Sequence, residues 1–196
     1  MNLKNLRIVV AVLAATAALG GTASAGSDKY QISGGQVVVV CPLTVGGGFE
    51  AKTEAITGSV SIGSDQSLAV GGALAVDLRT LKTGIGMRDR HMKENYLEVE
   101  KGPSFGTATL ENITIDKLDG KTSFNATLVL HGERRSITGS ATLERRDGGY
   151  RVQAEFPVKV SHYNIAKPSY LGVGVQDEIR IKIALTAVPA NTVALK

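Results

Sequence analysis

Residue types that mark many functional sites are scarce in this chain of 196 residues. It has no tryptophan, one cysteine and three histidines, and aromatic residues make up 5% of it. A single cysteine excludes an intramolecular disulfide. We expect Cys41 to be a small buried apolar residue, with a redox thiol or an intermolecular disulfide as the alternative. Aliphatic side chains must supply most of the core.

Apolar runs long enough to span a membrane are also missing. The N-terminal run 8–19 is shorter than the ~20 residues of a membrane-spanning helix. It follows Lys4 and Arg7 and precedes Ala23-Ser24-Ala25, which is the layout of a secretory signal peptide. We predict a signal peptide over residues 1–25, cleavage near Ala25, and one domain over residues 26–196 that is periplasmic or secreted.

Charge of one sign is not in large excess. Without Lys4 and Arg7, the formal net charge of +4 becomes +2, which does not indicate a nucleic-acid partner. Alternating segments also occur in outer-membrane barrels, but this chain lacks flanking aromatic girdles. We therefore predict no stable membrane insertion.

Motifs for catalysis or for metal binding are absent as well. His91, His131 and His162 do not have the i, i+2 or i, i+4 spacing of a local metal clamp. No serine lies in a nucleophile elbow. The glycine-rich segments 44–48 and 171–175 lack the Lys-Ser/Thr pair of a phosphate loop, so they indicate turns or bulges. The sequence predicts no metal, no cofactor and no enzymatic activity.

Alternating apolar and polar residues form most of the remaining chain. Alternation is typical of a strand with one buried face. The Asp-Gly pair at 147–148 predicts a hairpin between two such segments. The predicted strands cover residues 30–40, 56–62, 68–78, 105–115, 124–130, 136–144, 150–160 and 179–185.

Eight antiparallel strands with mostly short connections favour a closed barrel or a two-sheet sandwich. The interior of an eight-stranded barrel is either filled by side chains or holds one elongated ligand. Gly58, Gly72 and Gly139 lie on inward faces, where they indicate either cavity space or tight strand packing.

The connections 81–103 and 162–175 are too long for hairpin loops. In the first, Met92 and Tyr96 are four residues apart, which predicts a short helix near residues 88–97 with Asp89 as its N-cap. This helix would turn Met92 and Tyr96 toward the barrel. The side chains that it would leave on the outside are those of Arg88, Arg90, Lys93 and Glu94.

The apolar faces of the predicted strands supply candidates for the lining of a ligand cavity, together with Met92 and Tyr96. The same residues could instead fill a dry core, and alternation alone leaves both interpretations open. The strand candidates are Val60, Ile62, Leu74, Val76, Leu78, Phe124, Leu128, Leu130, Phe156, Val158, Ile181 and Ile183.

The central segment resembles the signature of the YceI-like family. The similar residues are Thr-Gly at 83–84, Met-Arg-Asp at 87–89, His-Met at 91–92, Tyr-Leu-Glu-Val-Glu at 96–100, Pro103 and Phe105. Segments 128–132, 161–165 and 176–180 are similar to downstream motifs, so the resemblance covers residues 56–187. The sequence departs from the family pattern at Ser33-Gly-Gly-Gln36, at Met92 and at Tyr163-Asn164, where the family usually has His, Leu and Phe-Gly.

This resemblance implies an exported, lipocalin-like antiparallel barrel that holds a polyisoprenoid or another long-chain apolar lipid. Arg88, Asp89 and His91 would then form a hydrogen-bonded network that fixes the crossover or touches a ligand head group at the pocket mouth. The alternative function is a ligand-free barrel that acts as an interaction or stress-protective module. The run Val37-Val38-Val39-Val40 is apolar on both faces, which allows a covering subunit and hence a homodimer.

Overall fold

The computed structural model describes residues 27–63, 69–170 and 173–190. The predicted signal peptide 1–25 lies outside the described residues, and so does part of the glycine-rich segment 171–175. Among the helices in these ranges, none is long and apolar enough to cross a membrane.

The described residues form eleven strands. Each of the eight predicted strands lies wholly or mostly within one of them. The bounds are β1 (Ser27–Pro42), β2 (Gly48–Thr53), β3 (Ile56–Gly63), β4 (Ala69–Asp77), β5 (Thr107–Ile115), β6 (Gly120–Leu130), β7 (Glu133–Arg146), β8 (Gly149–Lys159), β9 (Ser169–Tyr170), β10 (Val173–Gly174) and β11 (Glu178–Pro189).

An antiparallel sheet closes on itself to form the barrel. Its order is β11-β8-β7-β6-β5-β4-β3-β1-β2, and β1 also pairs with β11, from Tyr30 opposite Pro189 to Val40 opposite Arg180. On the other edge of β1, β2 pairs with residues 37–42 and β3 pairs with residues 27–31. Because β2 and β3 share this edge, they occupy one barrel position as an interrupted strand. The predicted eight-stranded antiparallel barrel is confirmed.

The strand prediction needs several corrections, besides the two-residue strands β9 and β10 that it did not include. The strand β2 was not predicted, because Phe49 and Ala51 are its only inward apolar residues and the preceding glycines suggested only a turn. Phe105 lies in the helical turn α2 (Pro103–Gly106), since β5 begins at Thr107. Leu78 and Val160 each lie in a 3₁₀ turn that follows the strand, Leu78–Thr80 and Val160–Tyr163 respectively.

The inward glycines serve close packing more than they provide space. Gly58 and Gly72 have positive φ angles of 145° and 93°, and a Cβ at either would collide with a carbonyl of the paired strand. A Cβ at Gly139 would lie 2.6 Å from the Phe124 ring. Tight strand packing, rather than free volume, therefore explains these three residues.

The long connections all lie at one end of the barrel, which we call the mouth end. They carry α1 (Gly86–His91), a π-helical turn (Met92–Tyr96), the 3₁₀ turns Val99–Lys101 and Val160–Tyr163, and the β9–β10 ribbon. The predicted short helix near residues 88–97 is thus confirmed. At the other end, the closed end, Tyr30 and Tyr150 pack edge to face with ring centroids 5.3 Å apart.

Candidate ligand-binding site

The upper half of the barrel encloses a cavity of about 490 Å³, which we call the mouth compartment. Strands β1, β2, β4, β5, β6, β8 and β11 all contribute inward side chains to it. Ile85 and Met87 line the cavity and are nevertheless 51% and 66% exposed, so it reaches the surface beside α1. Its size lies within the usual range of small-molecule sites, roughly 300–1,000 Å³.

A second, smaller cavity of about 110 Å³ lies toward the closed end. We call it the closed-end compartment. Tyr30, Tyr150 and aliphatic residues of most barrel strands surround it. Leu74, Leu110 and Ile183 line both cavities, so the two are neighbours along the barrel axis.

The two compartments meet at a pair of phenylalanines. Phe156 lines the mouth compartment and Phe124 lines the closed-end compartment. Their rings are nearly perpendicular, at 89°, with centroids 5.9 Å apart, and both side chains are buried. The pair therefore forms the floor of the mouth compartment.

The predicted lining residues divide between the two cavities. Val60, Ile62 and Phe124 line only the closed-end compartment. The others line the mouth compartment: Leu74, Val76, Leu78, Met92, Tyr96, Leu128, Leu130, Phe156, Val158, Ile181 and Ile183.

Several lining residues were missed by the sequence analysis. Val37, Val39 and Cys41 face the cavity from β1, and Phe49 and Ala51 face it from β2. Alternation did not identify the inward residues of β1, because in the run of four valines the side chains on both faces are apolar. Loop residues, including Leu81, Ile85, Ile165 and Val175, carry no periodic signal and could not have been found this way.

Asp89 does not cap α1, contrary to the prediction. The residue before the helix is Ile85, which provides no side-chain hydrogen bond. Asp89 lies inside α1, and its Oδ1 accepts hydrogen bonds from the backbone N–H and the hydroxyl of Thr83, both at 2.6 Å. These bonds lower the pKa of Asp89, the Thr83 hydroxyl contributing most. Asp89 thus fastens α1 to the segment that precedes it.

Arg88 and His91 line the mouth compartment rather than joining Asp89 in one network. The Arg88 guanidinium lies over the Phe49 ring, 4.3 Å from its centroid, which is a cation–π contact. Arg88 is therefore half-buried rather than outside as predicted, and Lys93 is also half-buried. Arg90 and Glu94 are exposed, as predicted.

Cys41 lies in the same wall and is buried. Burial raises the pKa of its thiol to about 11, although the nearby charge of Arg88 acts in the opposite direction. A thiol that stays protonated at neutral pH behaves as a small apolar side chain.

A second aspartate fastens the other mouth loop. Asp177 accepts hydrogen bonds from the Ser161 backbone N–H at 3.0 Å and from its hydroxyl at 2.8 Å. The hydroxyl bond is the main cause of a lowered pKa at Asp177. Asp89 and Asp177 therefore hold the two long connections at the mouth by the same device.

A buried histidine links these connections. His131 Nδ1 lies 2.9 Å from the carbonyl oxygen of Tyr163. Its Nε2 lies 3.2 Å from Glu98 Oε2, close enough for an ion pair although not aligned as a hydrogen bond. His131 is thus committed to holding the mouth loops together and does not face the cavity.

In the part of the chain that the structure describes, no group of three or more His, Cys, Asp or Glu side chains could hold a metal ion. The polar side chains in the cavity wall, among them Arg88, His91 and Ser169, lie among aliphatic ones. What this wall can do chemically is surround an apolar molecule, with polar contacts confined to few positions.

Among known protein families, the YceI-like domain matches this chain over residues 30–187. The chain belongs to the YceI-like family. The match runs from Tyr30 in β1 to Ala187 in β11, and it includes the residues that line both compartments. Among curated proteins, no sequence matches this chain.

Solved structures with the same fold include BcnA from Burkholderia cenocepacia. It has a TM-score of 0.66 and 17% identity, with 79% of this chain and 96% of that chain covered. A polyisoprenoid-binding domain from Saccharophagus degradans, implicated in plant cell wall breakdown, has a TM-score of 0.60 and 15% identity, with 82% and 98% covered. At these identities the likeness establishes the fold.

Proposed function

We propose that this YceI-like protein is an exported lipid-binding protein that holds a polyisoprenoid or similar long apolar chain in the mouth compartment. The observation that carries the proposal is a cavity of about 490 Å³ with an almost wholly apolar wall and an opening at the mouth. A dry core has no need of such space, because protein interiors are close-packed. The polyisoprenoid-binding domain of the same fold supports the choice of ligand class.

The cavity fits an elongated chain better than a compact ligand. On one wall, Phe156, Val158 and Val160 are alternate residues of β8 and the turn that follows it. At ~3.3 Å per residue, they span about 13 Å along the strand, from the aromatic floor toward the mouth. An apolar chain can lie along this axis with one end on Phe156.

The energetic gain comes from removing hydrocarbon from water. Burial contributes about 0.8 kcal/mol per CH₂, so a five-carbon unit contributes roughly 3 to 4 kcal/mol before the cost of ordering the ligand. A few buried units retain the ligand firmly. The proposed activity is binding without a chemical reaction. A protein that releases its lipid slowly can serve as a carrier or a store for it.

The polar end of the ligand would lie at the mouth. Arg88 places a cation in the cavity wall, with His91 one helical turn away on α1. A guanidinium held over an aromatic ring keeps donors free for an oxyanion or a hydroxyl group. We therefore assign Arg88 and His91 to the head group and the strand residues to the chain.

Lipid extraction followed by mass spectrometry tests the proposal. We expect one co-purifying apolar lipid class in near-stoichiometric amount, released by organic solvent. Folded protein without lipid, which also takes up no polyprenyl probe from detergent micelles, would contradict it. That result would instead support the ligand-free interaction module.

A pair of variants tests the assigned wall. Val158→Glu introduces a charge inside the cavity, whereas Lys159→Glu changes the neighbouring exposed side chain of the same strand. We expect the first to abolish probe uptake and the second to preserve it. Equal uptake by both folded proteins would place the ligand elsewhere.

A further inference from the structure

Four large hydrophobic side chains are exposed on the described part of the chain, and all four lie at the mouth end. They are Val45 at 68%, Ile85 at 51%, Met87 at 66% and Val173 at 37%. Exposed apolar residues scattered over a surface need no explanation, but a cluster at one place marks a contact surface. We call these four side chains the apolar rim.

The rim surrounds one opening, although its members come from three distant segments. Ile85, Met87 and Val173 all line the mouth compartment. Val45 lies in the β1–β2 turn, which is joined to the β10 segment by the hydrogen bond from Thr44 N–H to the Gly174 carbonyl at 2.8 Å. This hydrogen bond holds the turn that carries Val45 next to the strand that carries Val173.

Basic side chains accompany the rim. The segment from α1 to the π turn contains Arg88, Arg90 and Lys93, and among the described residues no carboxylate is within ion-pair distance of Arg90 or Lys93. The segment has two acidic residues, and the carboxylate of one of them, Asp89, accepts two hydrogen bonds from Thr83. Apolar side chains bordered by cations match the chemistry of an anionic membrane surface, with acyl chains beneath phosphate groups.

We propose that the apolar rim docks reversibly on the surface of an anionic lipid bilayer, with the mouth compartment facing the membrane. The inference rests on the proposed function, because it supplies the route by which a membrane lipid enters the cavity. The rim side chains enter the interfacial region while Arg90 and Lys93 meet lipid phosphates. The lipid then passes from bilayer to barrel without crossing water.

Two substitutions outside the cavity wall test the docking. Val45 and Arg90 are exposed and do not line the mouth compartment. In vesicle flotation with phosphatidylcholine and phosphatidylglycerol, we expect Val45→Ser and Arg90→Glu each to reduce the bound fraction by about fivefold or more. Val45→Leu, which keeps an apolar side chain at this position, should bind like the wild type. Added salt should weaken the binding of the wild-type protein.

The matched control is Lys117→Glu, which makes the same charge change as Arg90→Glu in the exposed β5–β6 turn at the closed end. It should leave vesicle binding unchanged. Equal loss in Lys117→Glu and Arg90→Glu, or a wild-type protein that does not bind these vesicles, would overturn the inference. A rim-dependent dimer whose vesicle binding is insensitive to Val45 would also overturn it, because a second copy would then cover the rim.

Uptake of a fluorescent polyprenyl lipid separates this inference from the proposed function. Supplied in detergent micelles, the probe reports on the cavity alone; supplied in vesicles, it reports on cavity and rim together. We expect Arg90→Glu to slow uptake from vesicles and not from micelles. Normal uptake by both routes would contradict the docking while the binding function stands.

Discussion

The rings of Phe124 and Phe156 meet edge to face, with centroids 5.9 Å apart, at the level where the two compartments join. Edge-to-face pairs at this distance are favourable beyond the area that they bury. In the β6–β7 ladder, Phe124 is paired with Gly139, whose missing side chain leaves room for the ring. A glycine on one strand thus sets the position of an aromatic floor and the depth of the cavity.

Replacing Phe156 by alanine is expected to join the two compartments. The substitution should lower the free energy of unfolding by about 3–5 kcal/mol, because it removes a buried ring and leaves a cavity. If the proposed function holds, the co-purifying chain becomes longer. Chemical denaturation and mass spectrometry measure the two effects. Phe156→Leu should cost less, and an unchanged chain length in a folded Phe156→Ala protein would show that the floor does not limit the ligand.

Replacing Gly139 by alanine is expected to destabilise the barrel by about 1–3 kcal/mol, because the new methyl group would lie 2.5 Å from the Glu155 carbonyl oxygen and 2.6 Å from the Phe124 ring. Gly34→Ala is the matched control. Gly34 also lies in a strand, and a Cβ there would have no neighbour within 4 Å. Denaturant titration of both variants would show a clear difference in midpoint. Equal midpoints would mean that Phe124 and the β8 backbone at Glu155 both relax without cost.

Replacing Asp89 by alanine is expected to lower the melting temperature more than Asp119→Ala does. Asp89 accepts two hydrogen bonds from Thr83, whereas Asp119 is an exposed residue of the β5–β6 turn. The loss should be about 1 kcal/mol, since both bonds are near solvent. Asp89→Asn, which keeps an acceptor, should fall between the two. Similar melting temperatures for all three variants would contradict the proposal that Asp89 holds α1 to the preceding segment.

As pH falls, the loops at the mouth end are expected to lose stability before the barrel strands do. The pKa values of Asp89, Asp177 and Glu98 are lowered by hydrogen bonds from Thr83, Ser161 and Lys101, respectively. A lowered pKa in the folded state stabilises the protein above the unfolded pKa, about 4 for these groups. This contribution is lost as pH falls through the lowered values.

Melting temperature and amide exchange measured from pH 7 downward check this. Protection at residues 83–101, 160–170 and 173–177 should decrease below about pH 4 while the strands stay protected. Asp177→Asn removes one titrating group, so the amide protection of the loop that begins at Val160 should depend less on pH. Uniform loss of protection across strands and loops would contradict the prediction.

Replacing Tyr163 by phenylalanine is expected to keep or raise stability. Tyr163 is 2% exposed, and no described residue forms a hydrogen bond with its hydroxyl. A buried polar group without a partner costs about 1–3 kcal/mol. Tyr150→Phe is the control, since the Tyr150 hydroxyl accepts a hydrogen bond from Arg145 at 3.2 Å. Thermal denaturation should place the two variants on opposite sides of the wild type, and a loss of stability in Tyr163→Phe would point to a partner for the hydroxyl.

Alternation predicted the strands because side chains of a strand point to opposite faces in turn. The pattern of apolar residues alone therefore identified Phe124, Phe156 and Ile183 as inward-facing. It did not find β2, whose inward residues Phe49 and Ala51 are too few to form a pattern. The same limit applies to Asp177, a loop residue whose role depends on Ser161, sixteen positions earlier.

The sequence by itself determined the strand faces, the short helix and, through the YceI-like motifs, the family. The tertiary structure decided how far along the barrel axis each inward residue lies. For that reason Val60 and Ile62 line the closed-end compartment and not the mouth. The physical reason is register: alternation fixes the face of a side chain, whereas its height and its neighbours depend on how the strands are staggered when the sheet closes.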